Sequence, residues 1–183
     1  ALITAAAMSL LVLIQVIFPL VPLPVKSDRI AKEFGDWRSV GVEVAEFADS
    51  FNDKARPFIF TMNYQMASQL AFYTPGRPLT VAINRDKRPN TYDYWWTDEM
   101  LTGRDAIGVT THDHQQEWYL GRFFEHVDPP IRVTLHDSRR GWNGRQRPVK
   151  TLYLYKACGF KGGHLWEPGD ANDVRTSQPQ KTN

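Results

Sequence analysis

The chain has 183 residues and a formal net charge of +2, a size that suits one globular domain with a further segment. So small a net charge argues against a nucleic-acid-binding protein and against strong electrostatic attachment to anionic lipid. The single cysteine, Cys158, cannot form an internal disulfide, which excludes a small secreted fold held by disulfides but does not decide the compartment.

The first 25 residues carry no charged side chain. An apolar helix of roughly twenty residues can cross a hydrocarbon core of about 30 Å, so we predict a transmembrane helix over residues 1–24, ended by prolines. A signal peptide and a buried core helix are the alternatives, although no basic region precedes the apolar run and only three polar residues lie in it. A span at this position predicts that the chain is the tail of a longer protein.

A second helix is predicted to begin after Asp36, whose carboxylate can cap it. Its apolar residues recur at the spacing of one helical face over almost four turns. They are Trp37, Val40, Val44, Phe47 and Phe51. The pattern is typical of a helix that packs one face on a sheet.

The central part of the chain predicts a β-α-β unit. A short apolar run over residues 57–62 has the length of a buried strand, Asn63 can cap a helix over 64–73, and residues 79–84 form a second apolar run. Two parallel strands joined by a covering helix need neighbours on either side. We therefore predict an α/β fold with a Rossmann-like open sheet, mostly parallel.

The next connection, residues 85–104, is predicted to be long and irregular, and it is rich in aromatic residues. Its rings are Tyr92, Tyr94, Trp95 and Trp96. They could stack on sugar rings or plug the end of the sheet, and the residues alone favour the plug.

Residues 105–110 are predicted to form a third buried strand, and 115–124 a helix behind it. Between them lies His112-Asp113-His114, whose side chains are possible ligands for zinc or iron. Without a third ligand at a recognisable spacing, a polar loop at the carboxyl end of a strand is the better interpretation. We predict no metal site here.

Alternating patterns over residues 131–136 and 149–157 predict an antiparallel hairpin at the C-terminal edge of the sheet. Its loop carries Arg139, Arg140, Arg145 and Arg147, which could hold a phosphate, an anionic sugar or a lipid head group, or simply be solvated. The soluble α/β domain is thus predicted over residues 25–167. The polar residues 168–183 are predicted to be a disordered tail.

The motifs of dinucleotide-binding turns, P-loops, nucleophile elbows and zinc proteases are missing from the sequence. A Rossmann-like sheet without a phosphate-binding turn does not indicate a dinucleotide enzyme. Composition and spacing therefore give a membrane-tethered domain without recognisable chemistry of its own.

Short motifs in a fixed order carry a family resemblance. They are Gly35-Asp36-Trp37-Arg38, Asn63-Tyr64-Gln65 with Ala67, Leu70-Ala71-Phe72-Tyr73 before Pro75-Gly76, Asn90 with Tyr92-Asp93 and Trp95, and Gly103-Arg104-Asp105-Ala106. With these the chain resembles the C-terminal region of bacterial membrane glycosyltransferases of the dolichyl-phosphate-mannose protein mannosyltransferase type, family 39 of the GT-C superfamily. Thr91 and Tyr94 depart from the family's commoner Gln and Leu.

The resemblance implies that the complete protein is an inverting glycosyltransferase, which moves a sugar from a polyprenyl-phosphate donor to a lipid, glycan or protein acceptor. Its catalytic acid would lie in an early loop outside this chain, so no catalytic residue is carried over. The domain would cover the active site and help to bind the acceptor. The candidate substrate-binding residues are Tyr64, Gln65, Asn90, Tyr92 and Asp93.

The same resemblance implies a bacterial inner-membrane protein whose soluble domain lies on the periplasmic or extracellular side. Its partners would be membrane lipid, its own N-terminal transmembrane domain and the acceptor, with no nucleic acid. No cofactor is expected in this domain, and a role for a divalent metal in the whole enzyme stays open. The alternatives are a membrane-tethered module that binds carbohydrate or lipid head groups, and a purely structural domain.

Overall fold

A computed structural model describes residues 2–18, 20–21, 24, 27–28, 31, 35–51, 56–83, 91–112, 119–139 and 144–163. The helices are α1 (Leu2–Ile17), α2 (Trp37–Ala48), α3 (Tyr64–Tyr73), α4 (Tyr92–Trp95) and α5 (Asp98–Leu101). The strands are β1 (Phe58–Thr61), β2 (Thr80–Ala82), β3 (Ala106–Thr110), β4 (Phe124–Val127), β5 (Ile131–His136) and β6 (Pro148–Phe160).

The strands form one mixed sheet in the order β2-β1-β3-β6, with β4 and β5 both paired to β6. Strands β2, β1 and β3 are parallel, and β6 is antiparallel to β3, β4 and β5. All strands except β6 therefore run in the same direction. The predicted mixed α/β fold, mostly parallel with an antiparallel C-terminal hairpin, is confirmed.

At the outer edge of the sheet, β4 and β5 follow one another along β6, and their pairing with β6 is interrupted once. β4 pairs with the end of β6, from Ala157 to Phe160, and β5 pairs with its first half, from Pro148 to Leu154. Asp128 continues the ladder between them, because its amide donates to the Lys156 carbonyl at 2.8 Å. Pro129 and Pro130 follow and have no amide hydrogen to donate.

Capping residues and one glycine position the two longer helices of the domain. The Asp36 carboxylate accepts from the Ser39 amide at 3.2 Å, and the Asn63 side chain accepts from the Met66 amide at 2.8 Å, so each helix begins at a satisfied cap. Gly41 lies where α2 meets the end of α3. A Cβ at this position would lie 2.6 Å from the Tyr73 carbonyl oxygen, so the helices approach closely only because residue 41 is glycine.

The core has one layer on each face of the sheet, because alternate strand residues point to opposite faces. Ile59 packs with α2 and α3, whereas Phe58 and Phe60 pack on the opposite face. The second layer is an aromatic stack in which the Phe60 and Phe124 rings lie 4.9 Å apart. Both layers are closed by buried residues from several strands, so the sheet is covered on both sides.

The structure confirms most of the predicted elements. Helices α2 and α3 begin after the predicted caps, β1 and β2 are parallel, and β3, β5 and β6 fall where the patterns place them. Residue 84, all of the predicted disordered tail and part of the basic loop lie outside the described residues. The division into residues 1–24, 25–167 and 168–183 stays a prediction.

Three element predictions need correction. The helix expected over 115–124 is wrong at its end: Tyr119 and Leu120 are helical, but Phe124 begins β4, and residues 113–118 lie outside the described part. The connection expected to be irregular contains α4 and α5. Phe51 belongs to the core layer but lies beyond the end of α2, which stops at Ala48.

The uncharged N-terminal segment forms a helix of 16 residues, α1, none of which is buried. Its apolar side chains point outwards, with Leu2 86%, Leu11 60% and Ile17 59% exposed. No helix within the described residues is both long and apolar enough to cross a membrane. The predicted transmembrane helix over residues 1–24 remains a prediction.

Candidate functional site

Four of the five predicted substrate-binding residues, Tyr64, Gln65, Tyr92 and Asp93, lie on α3 and α4, next to the carboxyl end of β1. Tyr64 opens α3 directly after its cap and is 49% exposed, and Gln65 beside it is also exposed. In α4 the Trp95 ring is 58% exposed and Tyr94 76%. These exposed side chains offer aromatic surfaces and one amide to a ligand in solvent.

Tyr92 joins the two helices. Its ring is 7% exposed and packs with Ala67 and Ala82, and its hydroxyl lies 3.1 Å from the Ser68 Oγ. Ser68 is one turn after Tyr64, so Tyr64 and Ser68 share a face of α3. The Tyr92 and Trp95 rings are 5.1 Å apart. We call this surface, made of Tyr64, Ser68, Tyr92 and Trp95, the aromatic face.

The structure brings together only part of the predicted set. Tyr64 and Tyr92 are linked through Ser68, a residue that the sequence analysis did not select although it lies four positions after Tyr64. Tyr92 is buried, so it supports the aromatic face instead of offering its ring to a ligand. Asn90 lies outside the described residues, and for Asp93 only the backbone, within α4, is described.

The carboxyl ends of β1 and β3 are closed by threonine hydroxyls. Thr61 Oγ1 donates to the Asn63 carbonyl at 2.6 Å, and Thr110 Oγ1 donates to the His112 carbonyl at 2.9 Å. The His112 Nδ1 lies 3.0 Å from Thr111 Oγ1. Asp113 and His114 lie outside the described residues. Within the described part, no group of three potential ligands could hold a metal ion.

A second site lies at the base of the β5–β6 loop, where four charged side chains meet. Arg139 donates to both oxygens of Asp137, from Nε at 2.9 Å and from Nη2 at 2.9 Å, and its Nη2 also lies 3.1 Å from Asp28 Oδ2. Arg147 donates to the same two carboxylates. Asp137 is 1% exposed and Asp28 5%. We call these four residues the ion-pair cluster.

The charges of the ion-pair cluster are held by their mutual hydrogen bonds. Burial acts to raise the pKa of Asp28, but donors from the Ala31 amide, Arg147 and Arg139 outweigh it and hold that pKa below its ordinary value. Burial opposes the Arg139 hydrogen bonds at Asp137 in the same way, and the pKa of Asp137 is also lowered. Two carboxylates and two guanidinium groups leave the cluster neutral.

The ion-pair cluster changes the interpretation of the basic loop. Arg139 and Arg147 are occupied by carboxylates of the chain itself, so they are not available to a phosphate, an anionic sugar or a lipid head group. The pairing of Asp137 with Arg139 is a contact between residues two apart. Asp28 is 111 residues before Arg139, and no local signal in the sequence indicates that contact.

The ion-pair cluster also holds the end of α1. Arg139 Nη1 donates to the Val16 carbonyl at 3.2 Å, one of the carbonyls that a helix leaves unsatisfied in its last turn. The Gln15 side chain donates to the Val21 carbonyl at 2.8 Å and accepts from the Val21 amide at 3.0 Å. Polar groups at the end of an otherwise apolar helix are thus paired within the protein.

The aromatic face and the ion-pair cluster have different roles. Exposed aromatic rings suit stacking on sugar rings or contact with lipid, and the ion-pair cluster joins an apolar helix to the sheet. Comparison with protein-family models, with curated proteins and with solved structures gives no match for this chain.

Proposed function

We propose that the chain is the C-terminal, extracytoplasmic part of an integral membrane glycosyltransferase that uses a polyprenyl-phosphate-linked sugar. In this proposal α1 lies in the bilayer and the α/β domain covers the active site without supplying a catalytic residue. The observation that carries the proposal is the hydrogen bond from Arg139 to the Val16 carbonyl. It joins an uncharged helix with outward apolar side chains to a folded domain.

The exposure of α1 supports a lipid environment. Large apolar side chains cover it on all sides, whereas a helix on the surface of a soluble domain normally keeps a polar face. A helix end in or near lipid must have its backbone groups satisfied by protein. The bonds from Arg139 to Val16 and from Gln15 to Val21 meet that requirement at the end where the chain leaves the helix.

The aromatic face supports a role in acceptor binding. Tyr64 and Trp95 are exposed, and the part-buried Tyr92–Ser68 contact holds α4 against α3. Rigid aromatic rings on short helices can stack on a sugar ring at little cost in side-chain entropy. Such a surface would position an acceptor next to an active site in the membrane domain.

The test is sugar transfer by the full-length membrane protein in proteoliposomes with a labelled polyprenyl-phosphate sugar. We expect Trp95→Ala and Tyr64→Ala to raise the KM for the acceptor several-fold and to leave the KM for the donor unchanged. Phe72→Ala is the matched control, because Phe72 is also exposed but lies near the other end of α3. Equal effects of Trp95→Ala and Phe72→Ala would contradict a role for the aromatic face.

A membrane-tethered module that binds carbohydrate or lipid head groups is the second candidate. The same exposed rings favour it, because stacking needs no partner domain. It predicts that the full chain in detergent binds mono- or oligosaccharides by itself, with Trp95→Ala removing the binding. The transferase proposal predicts acceptor binding only when the complete membrane domain is present.

A further inference from the structure

A cavity of about 370 Å³ lies at the amino ends of the parallel strands, whereas the aromatic face lies near the carboxyl end of β1. The ends of α2 and α3 form its walls with the residues that lead into β1 and β2. The apolar lining consists of Val44, Ala45, Ala48, Ile59 and Ile107. Pockets for small ligands begin at about this volume and are mostly apolar with a few polar groups.

The walls of the cavity are stiff. Three prolines line it, namely Pro57, Pro75 and Pro78, and proline fixes its own φ angle. Gly76, between two of them, has a φ of 79°, which suits glycine. The three prolines restrict the backbone beside the cavity, which reduces the ordering that binding requires.

The cavity contains a buried polar group, the hydroxyl of Thr74. Thr74 lines it and is 3% exposed, and within the described part of the chain its hydroxyl has no hydrogen-bond partner. A buried hydroxyl without a partner destabilises the folded state. A ligand that pairs with this hydroxyl would remove that cost.

Among the described residues, one acidic and one basic side chain, Asp49 and Arg56, line the cavity at its exposed rim. The Arg56 guanidinium lies over the turn at Gly76, where a Cβ would come within 3.0 Å of its Nη1. Neither side chain takes part in the ion pairs found between described residues. A ligand with both charges could pair with both side chains, whereas a ligand of a single charge could pair with only one of them.

We propose that this cavity binds a small zwitterion with an apolar body, such as an apolar amino acid. Arg56 would bind the carboxylate, Asp49 the ammonium group, the Thr74 hydroxyl would complete the polar contacts, and the aliphatic side chain would lie against Val44, Ile59 and Ile107. This site is independent of the proposed glycosyltransferase function, because it lies at the amino ends of the strands and the aromatic face lies near the carboxyl end of β1.

Calorimetric titration of the full chain in a mild non-ionic detergent tests the proposal with three probes that share an isobutyl group. They are leucine, 4-methylpentanoate and 3-methylbutylamine. We expect leucine to bind about tenfold more tightly than either singly charged analogue, a difference of about 1.4 kcal/mol. Equal binding of all three probes, or no binding of leucine at millimolar concentration, would overturn the proposal.

Charge variants separate the two rim contacts. Arg56→Gln should remove the preference for leucine over the amine, and Asp49→Asn the preference for leucine over the carboxylate. Arg77→Gln and Glu46→Gln are the matched controls, since neither Arg77 nor Glu46 lines the cavity. Loss of the preference for leucine in the controls, or persistence of that preference in both rim variants, would contradict the assignment.

Thr74→Val distinguishes a threonine whose hydroxyl binds a ligand from one that has only a structural role. Because valine has the same shape without the hydroxyl, we expect the unliganded chain to become more heat-stable and leucine to bind at least about threefold more weakly. A variant with unchanged leucine affinity, or with a lower melting temperature, would show that the hydroxyl does not serve a ligand.

Discussion

Arg139 donates to Asp28 across 111 residues of sequence at 3.1 Å, and the same guanidinium reaches the Val16 carbonyl at the end of α1. One side chain of the hairpin loop thereby joins the apolar helix, the segment after it and the edge of the sheet. Since Arg139 is 10% exposed and Asp137 1%, these contacts are shielded from water. Solvent screening weakens them less than it weakens a surface pair.

Arg139→Gln should destabilise the folded chain by about 3 kcal/mol, because it leaves the buried Asp137 carboxylate with Arg147 as its only cation in the cluster. Urea denaturation followed by tryptophan fluorescence measures the change. The control is Arg132→Gln, which removes an exposed arginine on β5 that lies 5.9 Å from the Tyr153 ring centroid. We expect the control to cost less than about 1 kcal/mol, and equal costs would contradict the importance of the cluster.

The ion-pair cluster should make stability depend on acid. The folded-state pKa values of Asp28 and Asp137 are lowered, so the unfolded chain binds protons more readily than the folded chain does. Their contribution is complete well above the unfolded value of about 4 and is lost as the pH falls through that value towards the folded pKa. Urea midpoints between pH 3 and pH 7 measure this. In Asp137→Asn the decline should be shallower, and an unchanged slope would refute the assignment.

Gly41→Ala should destabilise the protein, whereas the same change in an ordinary exposed helix stabilises it by about 0.5–1 kcal/mol. The added Cβ would lie 2.6 Å from the Tyr73 carbonyl oxygen and would push α2 away from α3. We expect a loss of about 1–3 kcal/mol. Val42→Ala, at a neighbouring exposed position, is the control and should change the free energy of unfolding by less than about 1 kcal/mol. A stabilising Gly41→Ala would show that the helices have room to separate.

Tyr92→Phe should cost about 1 kcal/mol, because it removes the hydroxyl that lies 3.1 Å from Ser68 Oγ while it keeps the packed ring. Tyr64→Phe, at an exposed position, should leave the free energy of unfolding nearly unchanged. Thermal denaturation of the two variants beside the parent chain gives the comparison. If both variants behave alike, the Tyr92 hydroxyl does not hold α4 against α3.

The sequence predicts well those elements that local patterns specify. Asp36 and Asn63 cap helices where their positions indicate, because an N-cap acts on amides only two or three residues away. β4 was missed because Phe124 continues an aromatic run with helical spacing, and only its pairing with Phe160 shows that it is a strand. The short helices α4 and α5 were also missed, since four residues are too few for a periodic pattern.

For the candidate sites too, the sequence predicts local features and misses contacts between distant segments. Tyr64 lies where its position after a cap predicts, but the burial of Tyr92 depends on Ala67 and Ala82, which approach it only in the folded chain. Arg139 and Arg147 were interpreted from the sequence as unpaired charges, because one of their partners, Asp28, belongs to a distant segment. The cavity at Thr74 has no sequence signal, since its walls come from four separate parts of the chain.

The interruption of the outer strand at Pro129 and Pro130 also protects against aggregation. An uninterrupted outer strand exposes a row of amides and carbonyls on which a second molecule can build its own strand. Neighbouring residues of a strand point their amides to opposite sides, so at least one of the two prolines removes a donor from this outer row between β4 and β5, and an incoming strand cannot form a continuous ladder along the edge. The chain can therefore keep a long antiparallel hairpin at the outside of its sheet without offering one uninterrupted edge to a second molecule.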